Sequence, residues 1–291
     1  MSGGFPRTMV GGVSVSRMIA GTNWLLGWSH TGAAMDKMIK ERYPDAGSFQ
    51  SVLDAYLAHG VDTIMGPISS QPVLLDGIHM AEQRNGRKIV IVDTPVINVD
   101  DSAAARREAE ASLRVSADIG AEICLIHHAS AEQLVNKNKA EITRLPDYTD
   151  MIRSLGMVPG LSAHMPELVI YSDANGYDVE TYIQIFNCMG FMMQVEIETV
   201  AAIINRAKKP VMTIKSMAAG RCTPYVGLTF SWSAIRPVDM VTVGAFTAAQ
   251  VDEDVEISRA ALERRFPDID RRGSPAREQA AFGAPPKPTA P

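Results

Sequence analysis

The chain has 291 residues, of which 46% are hydrophobic and 21% charged, and 28 Lys and Arg against 33 Asp and Glu leave a formal net charge of −5. That balance excludes an intrinsically disordered chain, which is poorer in apolar residues, and a basic nucleic-acid binder. No apolar run approaches the roughly 20 residues of a membrane span, and the polar, glycine-rich start MSGGFPRTMVGG is no secretory signal. Cys124, Cys188 and Cys222 are scattered without CxxC spacing, which points to a reducing, cytoplasmic compartment and away from a disulfide scaffold or a cysteine-based zinc site.

Taken in chain order, short apolar runs alternate with helical patterns. Strands are predicted at 16–23, 61–65, 88–93, 122–127, 157–164, 191–196, 210–215 and 239–243. Helices are predicted at 49–59, 72–85, 103–119, 139–155, 178–189 and 197–207. Another opens after the loop that starts at Met217, and a last one runs from Thr247 to about 265. Gly60, Gly86, Gly120, Gly156 and Gly190 fall where helices should close. Thr247 and Gln250 have capping-box spacing. The strands are continuous rather than alternating apolar runs, as expected when both faces are covered. Eight βα repeats in this length predict an α/β protein with a (β/α)8 TIM-barrel fold over residues 1–266. Residues 267–291 hold six prolines and read as a disordered, polyproline-like tail. A doubly wound sheet is disfavoured because no GxGxxG turn follows the first strand.

Barrel chemistry sits at the C-terminal ends of strands. The polar residues that end the predicted strands are Asn23, Asp93, His127 with His128, His164, Gln194 with Glu196, and Lys215. Two imidazoles and two carboxylates on consecutive strand ends match ligation of a divalent ion such as zinc, manganese or iron. Asp93, His127, His164 and Glu196 are the expected metal ligands; His127, His164 and Glu196 double as acid–base groups. Lys215, at the end of an apolar strand, is expected either to hold an anion or to act as a low-pKa amine. Arg221, in the small-residue loop that follows, would join it in binding a carboxylate or phosphate. Asn23, Gln194 and His128 are expected to hydrogen-bond the substrate.

Several of these segments resemble the aldo-keto reductases. Gly11-Gly-Val-Ser-Val-Ser-Arg-Met-Ile-Ala-Gly-Thr22 is similar to that family's opening hairpin and first strand, and Gly60-Val-Asp-Thr-Ile-Met65 to its second. Ala121-Glu-Ile-Cys-Leu-Ile-His-His128 resembles the strand that carries its catalytic histidine, with His127 at that position. Gln194 falls where the family places a nicotinamide-contacting glutamine. Residues 241–255 resemble its last strand and helix. The resemblance implies a barrel, NADP as cofactor and hydride transfer. Against that pattern, the loop Gly66-Pro-Ile-Ser-Ser-Gln71 lacks the family's proton-donor tyrosine. The third strand ends in Asp93 instead of lysine, and the fifth reads Gly160-Leu-Ser-Ala-His164 where a Ser-Asn pair is expected.

The function expected is therefore a metal-dependent lyase, isomerase or hydrolase acting on a small hydroxylated or carboxylated substrate. An NADP-dependent oxidoreductase using His127 as acid is the alternative, and a catalytically silent barrel scaffold a third. The expected partner is a small molecule, with self-association into a homo-oligomer left open, and neither nucleic acid nor membrane is expected.

Overall fold

The computed structural model describes residues 4–269. The chain opens with an antiparallel hairpin, β1 (Arg7–Val10) and β2 (Val13–Ser16). Gly11 and Gly12 form its two-residue turn at φ 54° and 90°, angles that only glycine adopts easily, and the mirror-image turn suits the strand twist. A Cβ on Gly11 would lie 2.5 Å from Val158 Cγ1, so the turn is pressed against the barrel. Val10 and Val15 join the barrel-interior cluster. The hairpin therefore plugs one end of the barrel and leaves the other for chemistry.

Eight parallel strands among the described residues close the barrel. They are β3 (Met18–Gly21), β4 (Thr63–Gly66), β5 (Val90–Asp93), β6 (Ile123–Ile126), β9 (Val158–Ala163), β10 (Tyr182–Ile185), β11 (Val211–Ile214) and β12 (Met240–Val243). A short hairpin, β7 (Val135–Asn136) with β8 (Glu141–Ile142), interrupts the series after β6. The helices are α1 (Asn23–Leu26), α2 (Ala33–Arg42), α3 (Gln50–Ala58), α4 (Pro72–Asn85), α5 (Ala103–Asp118), α6 (His128–Ala131), α7 (Leu145–Ser154), α8 (Glu167–Asn175), α9 (Ile197–Arg206), α10 (Pro224–Ala234) and α11 (Ala248–Glu263). None of them is long and apolar enough to cross a membrane. The expected TIM barrel is thus the fold observed.

Strand alternation sorts the core into two layers. Ile19, Met65, Val92, Ile123, Leu125, Ile183, Met212 and Met240 fill the barrel interior. Ile64, Ile91, Cys124, Leu161, Tyr182, Val211 and Val241 face the helices. The Thr247–Gln250 capping box forms at the start of α11 as its spacing predicts, and Gly86 closes α4 in the left-handed conformation.

One strand is displaced from its predicted place. The sixth barrel strand is Tyr182–Ile185, inside the stretch expected to be helical, and 191–196 is loop. Gly176 ends α8 with φ 66°, after which Thr-Tyr-Ile-Gln-Ile-Phe is rich in β-branched and aromatic residues that pack well in a strand. Asn187 then turns the chain: its Oδ1 accepts from the backbone of Met189 and Phe191, 3.1 and 2.9 Å away. These local bonds take the donors that a strand at 191–196 would need. Helix α7 begins at Leu145 rather than 139, because 135–142 pair as the short hairpin, and α2 and α8 go unforeseen by the sequence pattern. The proline-rich segment begins docked. Pro267 is buried, and the Asp268 N–H donates to Glu256 on α11. The remainder of the expected tail, 270–291, lies outside the described residues.

Candidate active site

A cavity of about 690 Å³ opens at the C-terminal ends of the strands, a volume in the range of small-molecule sites. His127, the first residue past β6, lines it, in line with Leu125 and Ile123 on the interior face. His127 Nδ1 accepts from the Ala129 N–H at 3.2 Å, which assigns the proton of the neutral ring to Nε2. His128 opens α6, and its ring centroid lies 4.2 Å from that of His127. His164, just past β9, stacks on His128 with centroids 3.7 Å apart and planes 20° apart.

One helical turn after His128, Glu132 reaches across to the end of β9. Its Oε1 accepts from His164 N at 2.6 Å and Met165 N at 2.9 Å. Ligand atoms of His128, Glu132 and His164 all lie within 4.8 Å of one another. Burial, then the neighbouring His128, pushes His127 down to about 4 and His164 down to about 3. Burial also lowers His128, with Glu132 opposing and Lys215 assisting. All three rings are neutral at pH 7, the state in which imidazole binds a metal. Two imidazoles and a carboxylate on one side of a site are the donor set of non-haem iron and related divalent centres.

Lys215 follows β11, and its Nζ lies 3.1 Å from His30 Nε2. Burial lowers the Lys215 ammonium, and burial followed by Lys215 lowers His30. Lys215, Ala218 and Ala219 hold φ of 62°, 50° and 54°, and His30 58°. For side-chain-bearing residues such angles cost on the order of 1 kcal/mol each, a strain that marks the loop after β11 as shaped for its position. Arg221 ends that loop, donating to Ala218 O and resting 3.9 Å over the Phe191 ring, and it too lines the cavity. Thr22, Ser216 and Thr242 are buried lining residues whose hydroxyl oxygens have no partner among the described residues. Buried hydroxyls are normally paired, but these three oxygens are closed off from the cavity space as well as from partners.

The sequence-predicted residues separate into two groups. Asn23, His127, His128, His164, Lys215 and Arg221 line the cavity together. Asp93, Gln194 and Glu196 do not. Val90 and Val92 face the barrel interior, so alternation turns Asp93 to the helical layer. There it is fully buried and accepts from Ser69 N at 3.0 Å and Ser116 Oγ at 2.6 Å. Gln194 and Glu196 stand on the loop after β10, exposed, and Glu196 holds the N-terminal position of α9, where Thr199 Oγ1 donates to it. The expected ligand set of Asp93, His127, His164 and Glu196 is thereby corrected: of the four, only His127 and His164 reach the cavity, and of these only His164 belongs to the donor cluster. Glu132 and His30 were missed. The i,i+4 spacing of His128 and Glu132 in His-Ala-Ser-Ala-Glu was a readable signal for one helical face; for His30, in the loop between α1 and α2 rather than at a strand end, there was none.

No family model and no curated protein matches the chain. Solved structures do. An aldo-keto reductase of Pseudomonas aeruginosa aligns at a TM-score of 0.62 and 17% identity, over 88% of this chain and 96% of its own. An aldo-keto reductase of Klebsiella pneumoniae, solved in complex with NADPH, aligns at 0.55 and 16% identity, over 98% of both chains. The BexX/CysO complex of Amycolatopsis orientalis gives 0.52 and 13% identity, over 92% and 100%. At these identities the likeness is one of fold, an eight-stranded parallel barrel.

Proposed function

We propose that this protein is an enzyme that acts on a small carboxylated or polyhydroxylated substrate in the barrel mouth, as a lyase, isomerase or hydrolase dependent on a divalent metal. The observation that carries this reading is the convergence of His128, Glu132 and His164 beside Lys215. The donors suit zinc, manganese or iron: both rings are neutral, and Glu132 spends Oε1 on backbone bonds and keeps Oε2 for an ion. A metal bound there supplies Lewis acidity or an activated water.

The chain's own groups do the rest. Lys215 and Arg221 hold the anionic end of the substrate. His127 presents its Nε2–H to a substrate oxygen as a neutral hydrogen-bond donor. Asn23, which lines the cavity, binds a substrate hydroxyl. The test is metal content of protein prepared without chelators, followed by titration of zinc, manganese and iron into apo protein. Stoichiometric binding that is lost in His164→Ala and weakened in Glu132→Gln is expected. Absence of binding, or equal binding in both variants, overturns the reading.

A second reading, an NADP-dependent oxidoreductase, draws on one observation: a protein of the same fold was solved with NADPH bound. Lys215 and Arg221 would take its phosphates, and His127 would be the acid. No tyrosine is among the described residues that line the cavity, so His127 would have to carry proton donation alone. Fluorescence titration with NADPH separates the two readings, since micromolar binding favours the oxidoreductase.

A further inference from the structure

Two of the three cysteines, 34 positions apart, meet at the rim of the cavity. Cys188 Sγ lies 3.9 Å from Cys222 Sγ. Cys188 stands on the loop after β10, whose turn Asn187 fixes through its bonds to Met189 and Phe191. Cys222 stands on the loop after β11, directly beside Arg221, and lines the cavity. Both thiols are half-buried, whereas Cys124, on the helix-facing side of β6, is fully buried. The two loops already touch at a second point, where the Arg221 guanidinium covers the Phe191 ring.

We propose that Cys188 and Cys222 are a modification site: a dithiol that low-molecular-weight disulfides oxidise to an intrachain disulfide, fastening the Arg221 loop to the loop after β10. A disulfide bond of about 2.05 Å needs the sulfurs to close by roughly 1.9 Å, a movement that surface loops and side-chain rotation supply. The chemistry balances without any other reagent. The Cys188 thiolate attacks the small disulfide RSSR, forming a mixed disulfide and releasing RS⁻. Cys222, deprotonated, then attacks the Cys188 sulfur and expels the second RS⁻. The protein dithiol loses two electrons and two protons, and RSSR becomes two RSH. Burial and then the neighbouring sulfur of Cys188 push the Cys222 thiol up to about 11, so the closing step, which needs the Cys222 thiolate, speeds up with rising pH. In the closed form Arg221 is held at the rim, and the anion-binding edge of the cavity loses its freedom to move.

The test uses the full chain and oxidised glutathione at pH 8, followed by alkylation and peptide mass analysis. A peptide pair joined through Cys188 and Cys222 is expected, reversed by dithiothreitol, with Cys124 alkylated only after denaturation. Cys188→Ser and Cys222→Ser should each abolish it, and Cys124→Ser should not. Trypsin cleavage after the exposed Arg221 should slow by about five-fold in the oxidised protein, because cleavage follows local opening. Glutathione adducts that persist on Cys188 or Cys222 without an intrachain link, or an unchanged cleavage rate in the linked form, overturn the proposal. Neither measurement depends on a bound metal or on catalysis.

Discussion

The imidazole of His128 lies flat on that of His164, with centroids 3.7 Å apart, although His128 follows β6 and His164 follows β9, the next strand of the barrel. The pairing is made by Glu132, which sits one turn along from His128 and clamps the backbone of His164. On the proposed metal-dependent reading, loss of Glu132 removes a ligand and also the support of a second one. Glu132→Gln is expected to weaken divalent-metal affinity by about 10-fold to 100-fold, and His164→Ala to abolish it, both measured by calorimetry. Glu196→Gln, on the loop after β10, should leave affinity unchanged.

Asp93 makes a different prediction, although it too ends a strand. It ties β5 to Ser116 of α5 and to the Ser69 backbone. Asp93→Ala leaves two buried donors unpaired and should lower stability by about 3 kcal/mol, since a hydrogen bond to a charged group contributes roughly 1.5–3 kcal/mol. Denaturant unfolding measures this. Metal affinity of the folded fraction should match that of the unmutated protein.

Acid should destabilise the fold through the half-buried histidines. In the unfolded chain a histidine takes up its proton near 6.5, whereas His127 waits until about 4 and His164 until about 3. Between those values the unfolded state binds more protons, so stability rises with pH through this window and is lost as pH falls from about 6.5 towards 4. Melting temperatures measured from pH 4 to 8 should show that slope, and His164→Gln should flatten it.

Lys215 is held at φ 62° at the cavity edge. Lys215→Gly relieves the left-handed strain and the burial of an amine, so it should raise stability by about 1 kcal/mol. The same change should weaken binding of phosphate or small carboxylates by about 10-fold or more, because a partly buried charge pair is lost. A variant less stable than the unmutated protein would show that Lys215 serves the fold rather than the ligand.

Much of this molecule was legible in its sequence because the signals were local. The βα alternation, the glycines closing helices and the Thr247–Gln250 cap depend on neighbours a few residues away, and together they set a barrel with its chemistry at one rim. Strand parity put His127, next to Leu125, inside that rim. Applied equally to Val90 and Val92, parity would have turned Asp93 away from it. The segment 182–196 failed because two apolar stretches compete for one strand, and the choice was made by the Asn187 turn and by pairing of Tyr182–Ile185 with β9 and β11. Only closure of the barrel could bring His128 onto His164, Lys215 onto His30 and Cys188 onto Cys222. Each of these pairs joins segments that share no local hydrogen bonding or periodicity, so their contact is a property of the closed sheet and not of either segment alone.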